Sequence, residues 1–295
     1  ISISRGCDKF CTFCIVPFTR GRERSRSNES IIKEVQDAVK NGFAEITLLG
    51  QNVNSYRTEE GKFPHLLEGV AMVPGVKRIR YMSPHPQDMD DHLLQVMSEH
   101  KNICNHVHLP LQAGSDRILK RMNRTYTKTE FLNLVDTIRD YIPNCSISTD
   151  IIVGFPGETN VEYEETLEVM NQVIFDRAFM FKYSSRPGTK AAEYSDQIDE
   201  VIKQKRLTRL IDLQQTHTLK ANQHHIGKVL KVMVEKESKK SPQQWSGRTE
   251  GNMGVIFDKK DEQIKDIVDI LIQDAQGVSM FGNRVLEKEM IHEVN

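Results

Sequence analysis

Short apolar runs alternate with amphipathic stretches over the first two-thirds of the chain, and this alternation limits the fold more than any other feature. One strand begins at residues 1–3 and ends at a cysteine-rich loop. Residues 45–50 (EITLLG), 77–83 (KRIRYMS), 106–111 (HVHLPL), 147–155 (ISTDIIVGF) and 179–184 (FMFKYS) supply the others. Between them the spacing predicts helices near 29–40, 64–73, 88–99 and 159–173, and over 115–142 with a break around 123–126. Ser27 or Asn28 is the candidate N-cap of the first helix, and Gly42 lies just past its end. Strands joined by crossover helices pair in parallel through right-handed connections. Six such units predict an α/β fold, an incomplete (β/α)6 barrel rather than a closed eight-stranded one. Barrels of this kind carry their active sites at the C-terminal ends of the strands.

A long polar helix, about 196–222, closes this domain. Beyond it the pattern changes to short alternating strands at 228–237, 254–259 and 267–275, separated by turn-rich segments such as KKSPQQWSG. The expected division is a catalytic domain over 1–222 and a small all-β barrel over 223–295. The formal net charge is -1, so overall charge gives no argument for nucleic acid and local patches must carry any such case. No run of about 18 apolar residues predicts a membrane span, and no signal peptide is visible. Five cysteines, three of them clustered, fit metal ligation in a reducing cytoplasm better than a disulfide framework. Cys104 and Cys145 read as buried thiols. The chain begins at Ile1 and runs straight into a strand, so it is expected to lack an upstream N-terminal domain.

Cys7, Cys11 and Cys14 follow a C-x3-C-x2-C spacing that offers three thiolates to one centre and no fourth. A structural zinc takes four ligands, the last of which would have to come from a distant residue. A cubane iron–sulfur cluster on three thiolates leaves one iron open. Spacing alone also permits three unrelated cysteines. The spacing resembles that of the radical S-adenosylmethionine (SAM) enzymes, and the segments after the later strands follow that family's pattern in order. The resemblance implies a 4Fe–4S cluster on the three cysteines, with SAM chelating the open iron. It implies SAM contacts from Gly50 and Gln51 after the second strand, Ser83 after the third, and Gln112 and Ser115 after the fourth. There a helix N-terminus faces the SAM carboxylate, paired with Arg121 or Arg124, of which the resemblance favours Arg124. Val153 and Gly154, within IIVGFPGE, would pass beside the SAM adenine.

SRGCDKFCTFCIVPFTRGRERSR, LGQNVNSY, LPLQAGSDRILKRMNRTY, TDIIVGFPGET and FKYSSRPGTKAA narrow the resemblance to the methylthiotransferases, those acting on tRNA in particular. It covers essentially the whole chain, and the terminal barrel is similar to the RNA-binding TRAM domain. The implied activity is 2-methylthiolation of N6-isopentenyladenosine beside the anticodon, in the anticodon stem-loop of tRNA. A 5′-deoxyadenosyl radical would take the hydrogen from an unactivated C–H bond that no side-chain base can deprotonate. A second SAM would donate the methyl group. A second 4Fe–4S cluster is expected in the upstream domain, and an electron donor such as flavodoxin or ferredoxin as partner. A ribosomal-protein target, another modified adenosine, or a non-catalytic zinc-stabilised RNA-binding protein are the competing readings.

Arg20, Arg22, Arg24 and Arg26 alternate after the cysteine loop and, if extended, form a positive ridge for tRNA phosphates. Ser185 and Arg186, in the turn-rich run 184–189, are expected to rim the substrate side of the pocket. Asp150 is an inward-facing catalytic candidate at a strand end, whereas His106 and His108 read as satisfied core groups. In the terminal barrel Lys236, Lys239, Lys240, Trp245 and Arg248 form a candidate RNA-contacting edge. Residues 224–295 hold 11 Lys and Arg against 12 Asp and Glu, so that domain is not basic overall.

Overall fold

The computed structural model describes residues 1–285; residues 286–295, the end of the expected β-barrel domain, lie outside the described residues. The chain forms two compact units, Ile1–Asp212 and Leu213–Asn295. The first unit runs β1 (Ser4–Arg5), α1 (Val16–Arg20), β2 (Arg24–Ser25), α2 (Asn28–Lys40) and β3 (Glu45–Leu48). It continues with β4 (Arg57–Thr58), β5 (Gly61–Lys62), α3 (Phe63–Ala71), β6 (Arg78–Tyr81), α4 (Asp91–Glu99) and β7 (His106–His108). α5 (Asp116–Arg121), α6 (Lys128–Tyr141), β8 (Ser146–Val153), α7 (Asn160–Val173), β9 (Arg177–Lys182) and α8 (Glu200–Gln223) follow, the last crossing the boundary between the units.

Each stave of the barrel is parallel to the next. Ser2 bridges Leu49 at the end of β3, β3 pairs with β6, Ile79 of β6 bridges Ile103, β7 pairs with β8, and β8 pairs with β9. The result is the expected open six-stave barrel. Its first stave peels away early: Ile3 N–H donates to Leu49 O at 2.9 Å, after which β1 turns into an antiparallel hairpin with β2. The helices start where side chains can satisfy their first N–H groups. Ser27 caps α2, Asp90 caps α4, and Thr127 and Thr159 form capping boxes with Glu130 and Glu162. Leu66, Leu67 and Val70 of α3 and Phe131, Val135 and Ile138 of α6 are buried at helical spacing, which fixes the face each helix turns to the sheet. Along β8, Ile147, Thr149, Ile151 and Val153 are fully buried on one face, while Asp150 and Ile152 on the other are only half-buried.

The long helix starts at Glu200 rather than near 196, because Asp196 is held elsewhere: its carbonyl accepts from Gly157 N–H at 2.8 Å and its carboxylate pairs with Arg121. In the second unit β10 (Val229–Glu237), β11 (Gln244–Thr249), β12 (Gly254–Asp258), β13 (Ile267–Gln276) and β14 (Ser279–Arg284) close a five-stranded barrel in the order β10-β11-β12-β14-β13. Val232, Val234, Val255, Phe257, Ile270, Ile272 and Met280 fill it. The segment read as the turn KKSPQQWSG is half strand, since Gln244 to Gly247 pair with Asp258 to Val255. β14 is a further strand that apolar alternation did not reveal. Among the described residues no helix is long and apolar enough to cross a membrane.

Candidate cluster and cofactor site

The cysteine loop leaves β1 at Gly6, whose φ of +80° suits glycine and whose Cβ would lie 2.2 Å from Arg22 O. The loop is then fastened at several points. Thr12 N–H donates to Met122 O at 3.0 Å, Thr12 Oγ1 to Arg121 O at 2.8 Å, and Ala191 N–H to Thr12 O at 2.9 Å. Asn123 Nδ2 donates to Phe10 O at 3.0 Å, and Lys9 Nζ pairs with Asp88 at 2.8 Å. All three cysteines are half-buried free thiols. Burial pushes Cys7 and Cys14 up, and their sulfurs feel the charge of Cys11. Arg124 Nη1 donates to Cys11 Sγ at 3.3 Å, while its Nε donates to the Tyr126 hydroxyl at 3.0 Å and its guanidinium stacks on that ring. The Tyr126 hydroxyl in turn donates to Pro110 O and Leu111 O, and burial raises its pKa to about 12. Among the described residues no three Cys, His, Asp or Glu side chains converge on a single metal ion. Three thiolates on one short loop fit a cubane, which takes a separate iron for each and leaves the fourth iron open.

Around this loop lie the turns that follow the staves. Gly50 sits so close to Ser4 that a Cβ would lie 2.5 Å from Ser4 Oγ, and Gln51 beside it is exposed. Ser83 and Gln112 both adopt positive φ, at 60° and 70°. Ser83 O accepts from Val53 N–H at 3.2 Å, and Gln112 is built into the sheet by hydrogen bonds to Asp150 O and from Ile152 N–H. Asn54 and the backbone of His85 hydrogen-bond reciprocally, tying the turns after β3 and β6 together. Burial, with Arg124 and Lys9 nearby, pushes His85 down to about 2, so the ring is neutral and its Nδ1 accepts from Gln87 N–H. Ser4 Oγ, Asn52 Oδ1 and Gln112 Oε1 are buried with no partner among the described residues. Orphaned polar atoms beside the strand ends suit a polar ligand such as the amino acid end of SAM.

Other sequence candidates also take part in packing. Ser115 Oγ donates to Glu162 at 3.3 Å, and Gly114 N–H to Thr166 Oγ1 at 2.9 Å. α5 has only six residues, and the turn before it faces α7: a Cβ on Gly114 would lie 2.5 Å from Thr166 Cα. Val153 is fully buried on the packed face of β8. Gly154 donates its N–H to Glu158 Oε2 at 2.7 Å, and a Cβ there would lie 2.4 Å from Lys203 Cγ. Arg121 is committed to Asp196 and to the Tyr194 ring, which leaves Arg124 as the arginine at the cysteines.

On the far side of the loop a cleft of about 720 Å³ is lined by Phe13, Ile152, Phe181, Ser185, Arg186 and Lys203, among others. Ser185 and Arg186 thus share a cavity with the cysteine loop. Asp150 Oδ2 lies 3.2 Å from His108 Nε2, and His108 Nδ1 and His106 Nε2 both lie 3.0 Å from Ser148 Oγ. His108, read as a core group, is therefore the partner of Asp150. Only the shared i, i+2 spacing of the two strands hinted at this.

The arginine ridge is broken. Arg20 ends α1, Arg22 pairs with Asp8 at 2.7 Å, and Arg26 pairs with Glu34 at 2.7 Å and donates to Ser2 O. Arg24 alone of the four lies in a strand, beside Arg5. α1, with Pro17 in its first turn, ends at Arg20, so only the first residue of the run expected to be extended is helical. In the second unit Arg248 pairs with Glu235 at 2.5 Å, and the Trp245 ring is covered by Lys259 Nζ at 4.2 Å from its centroid. Lys236, Lys239 and Lys240 are exposed. The aromatic is thus already occupied by a cation, and only the lysines stand open.

A three-thiolate loop on the C-terminal rim of an open parallel barrel defines a class of proteins that hold a cluster with one free iron. Residues 1–170 match the Radical SAM superfamily, and the chain belongs to it. Residues 223–285 match the TRAM domain. The chain is 49% identical over 290 residues to the tRNA-2-methylthio-N(6)-dimethylallyladenosine synthase of Porphyromonas gingivalis, covering 97% of this chain and 63% of that protein. It is 46% identical over 304 residues to the enzyme of the same name from Christiangramia forsetii, again covering 97% of this chain and 63% of that protein. It therefore spans a little under two-thirds of the length of these curated relatives. Among solved structures it is similar to the radical S-adenosylmethionine methyltransferase TsrM from Kitasatospora setae, with TM-score 0.55 and 15% identity over 65% of this chain and 38% of that one. It is also similar to coproporphyrinogen III oxidase from Escherichia coli, with TM-score 0.54 and 12% identity over 84% and 65%. These two likenesses concern the fold alone.

Proposed function

We propose that this chain is the radical SAM and TRAM portion of a tRNA methylthiotransferase that acts on N6-dimethylallyladenosine next to the anticodon. The observation that carries the reading is the cysteine loop with Arg124 against Cys11, in a chain 49% identical across 97% of its length to a protein named for that reaction. Cys7, Cys11 and Cys14 would hold the 4Fe–4S cluster. Arg124, half-buried beside Cys11, would meet the SAM carboxylate, and Gly50, Gln51, Ser83 and Gln112 would line the rest of that ligand. When bound, the cluster and SAM would supply the radical chemistry needed to open the unactivated C2–H bond, and a second SAM would supply the methyl group. The chain's own work is to seat the ligands at the strand ends and to keep water from them with Phe13 and Phe155, the latter packed against Tyr183 and Tyr194. tRNA is the proposed partner, with Lys239 and Lys240 as the open cations of the TRAM unit. A second cluster on an upstream domain, a flavodoxin- or ferredoxin-like electron donor and a cytoplasmic setting complete the reading.

The test is mass spectrometry of nucleosides from total tRNA of cells carrying the full-length parent or its Cys7→Ala, Cys11→Ala, Cys14→Ala form. Loss of the 2-methylthio nucleoside, with the dimethylallyl form accumulating, is expected. An unchanged tRNA profile would overturn the assignment.

A further inference from the structure

The parallel register sets Asp150 beside Phe179 and Ile152 beside Phe181, so these four side chains share one face of β8 and β9. That face is open. Phe179 is 50% exposed and Phe181 52% exposed, on a strand whose neighbours in the barrel bury most of their residues. The Phe179 ring meets His108 edge-on at a centroid distance of 5.8 Å. His108 is held by Ser148 on one side and presents Nε2 to Asp150 Oδ2 on the other, which fixes the carboxylate and leaves its Oδ1 without a protein partner among the described residues. Phe181 and Ile152 also line the cleft that contains Phe13 of the cysteine loop, with Ser185 and Arg186 at its rim.

A fixed acceptor flanked by two exposed rings matches a flat base bearing one N–H and an apolar substituent. An N6-prenylated adenine keeps a single hydrogen on N6, so one carboxylate oxygen satisfies it. Its tail needs apolar surface, which an unmodified adenine would leave wet. We propose that the open face of β8 and β9 is the substrate-base subsite: Asp150 accepts the N6 hydrogen, and Phe179 and Phe181 receive the ring and its prenyl tail. The assignment rests on the tRNA reading above and adds the residues that choose the prenylated base. Asp150 is in this account a recognition residue held in place by His108.

The experiment measures Kd by fluorescence anisotropy, with the chain reconstituted with its cluster and saturated with SAM. The probes are an anticodon stem-loop RNA bearing N6-dimethylallyladenosine and the same RNA with plain adenosine. Phe179→Ala and Phe181→Ala should each cut the preference for the prenylated RNA about tenfold, and Phe181→Leu should retain most of it. Asp150→Ala should weaken binding of the prenylated RNA about tenfold. Since both phenylalanines are half exposed, their variants should melt with the wild type. A preference unchanged in both alanine variants would overturn the subsite, as would a loss of SAM affinity in place of RNA preference, which would mark the face as the site of SAM's own adenine. A wild-type chain that binds neither RNA would instead defeat the tRNA reading on which the subsite rests.

Discussion

Replacing Arg206 with methionine strands a carboxylate. Arg206 Nη1 lies 2.7 Å from Glu158 Oε2, and only 7% and 1% of the two side chains are exposed. Gly154 N–H donates to the same oxygen, Arg206 Nη2 reaches Asn160 Oδ1 at 2.8 Å, and the Tyr163 ring lies under the guanidinium. Burial pushes Glu158 up to about 7 even with these donors in place. Removing one partner of a buried pair costs about 3–5 kcal/mol. With a urea m-value of about 2–3 kcal/mol per molar, the midpoint should fall by about 1–2 M, read by far-UV circular dichroism. The pH dependence has a definite sign. A carboxyl raised in the folded state favours folding fully below its unfolded value of about 4.5, and that advantage fades until pH passes its folded value. For the native chain the loss ends near 7, whereas for Arg206→Met, with a still higher carboxyl, it continues. The deficit should therefore grow above pH 7 by up to about 1.4 kcal/mol per pH unit. The control is Arg209→Met, which breaks an ion pair with Glu164 whose side chains are 58% and 49% exposed. That change should leave the urea midpoint close to that of the native chain, because exposed ion pairs contribute little. If Arg206→Met lost no more than the control, or lost the same at pH 6 and pH 8, the buried-pair reasoning would be refuted.

Glu162 is held down to about 2, first by its hydrogen bonds to Arg117 and then by those from Thr159, against the opposing effect of burial. Its stabilisation is present above about pH 4.5 and is lost as pH falls through that value toward 2. With Arg117 half exposed, Glu162→Gln should cost about 1–2 kcal/mol at neutral pH and flatten the acid limb of an unfolding titration; an unaltered acid limb would count against it. Gly6→Ala would force a side chain into Arg22 O at positive φ, so the cysteine loop cannot seat. Iron and sulfide bound after anaerobic reconstitution should drop at least about twofold while far-UV circular dichroism holds, and wild-type iron content would refute this.

The staves were legible because EITLLG and ISTDIIVGF are short runs rich in β-branched and apolar residues, with alternate positions buried along β3 and one face fully buried along β8. β11 was not legible, because its two buried positions are small and Trp245, on the same face, is the one large apolar residue it packs against the core. Gly247 and Thr249 are its buried positions, and a Cβ on Gly247 would lie 2.3 Å from Met233 O, so close packing replaces the missing apolar signal. The cysteine spacing put three thiols in one loop and the resemblance pointed to Arg124, which the structure places against Cys11, since both depend on local motifs. The arginine ridge failed for the opposite reason: Glu34 lies on a neighbouring helix and Asp8 in the loop itself, and alternation carries no trace of either partner. Glycines after strands were ambiguous throughout. Gly114 and Gly154 make room for α7 and Lys203, which no turn signal distinguishes from room for a ligand. The run FMFK hid its openness, because an edge strand and a buried one can share the same letters.

The fastenings of the cysteine loop set a timetable for the chain. Thr12 meets Arg121 across 109 residues and Asn123 meets Lys9 across 114, while the contact from Ala191 lies further along still. Contacts of such sequence separation pay their loop-closure entropy before they return any stability, so they form after the local helices and strand pairs. During synthesis the first cysteines emerge long before the residues that hold them, and until residue 191 has been made the loop cannot be fully seated. The thiols of Cys7, Cys11 and Cys14 therefore precede by more than a hundred residues the contacts that seat their loop. A cluster delivered to this loop would meet a nearly finished barrel rather than nucleate one.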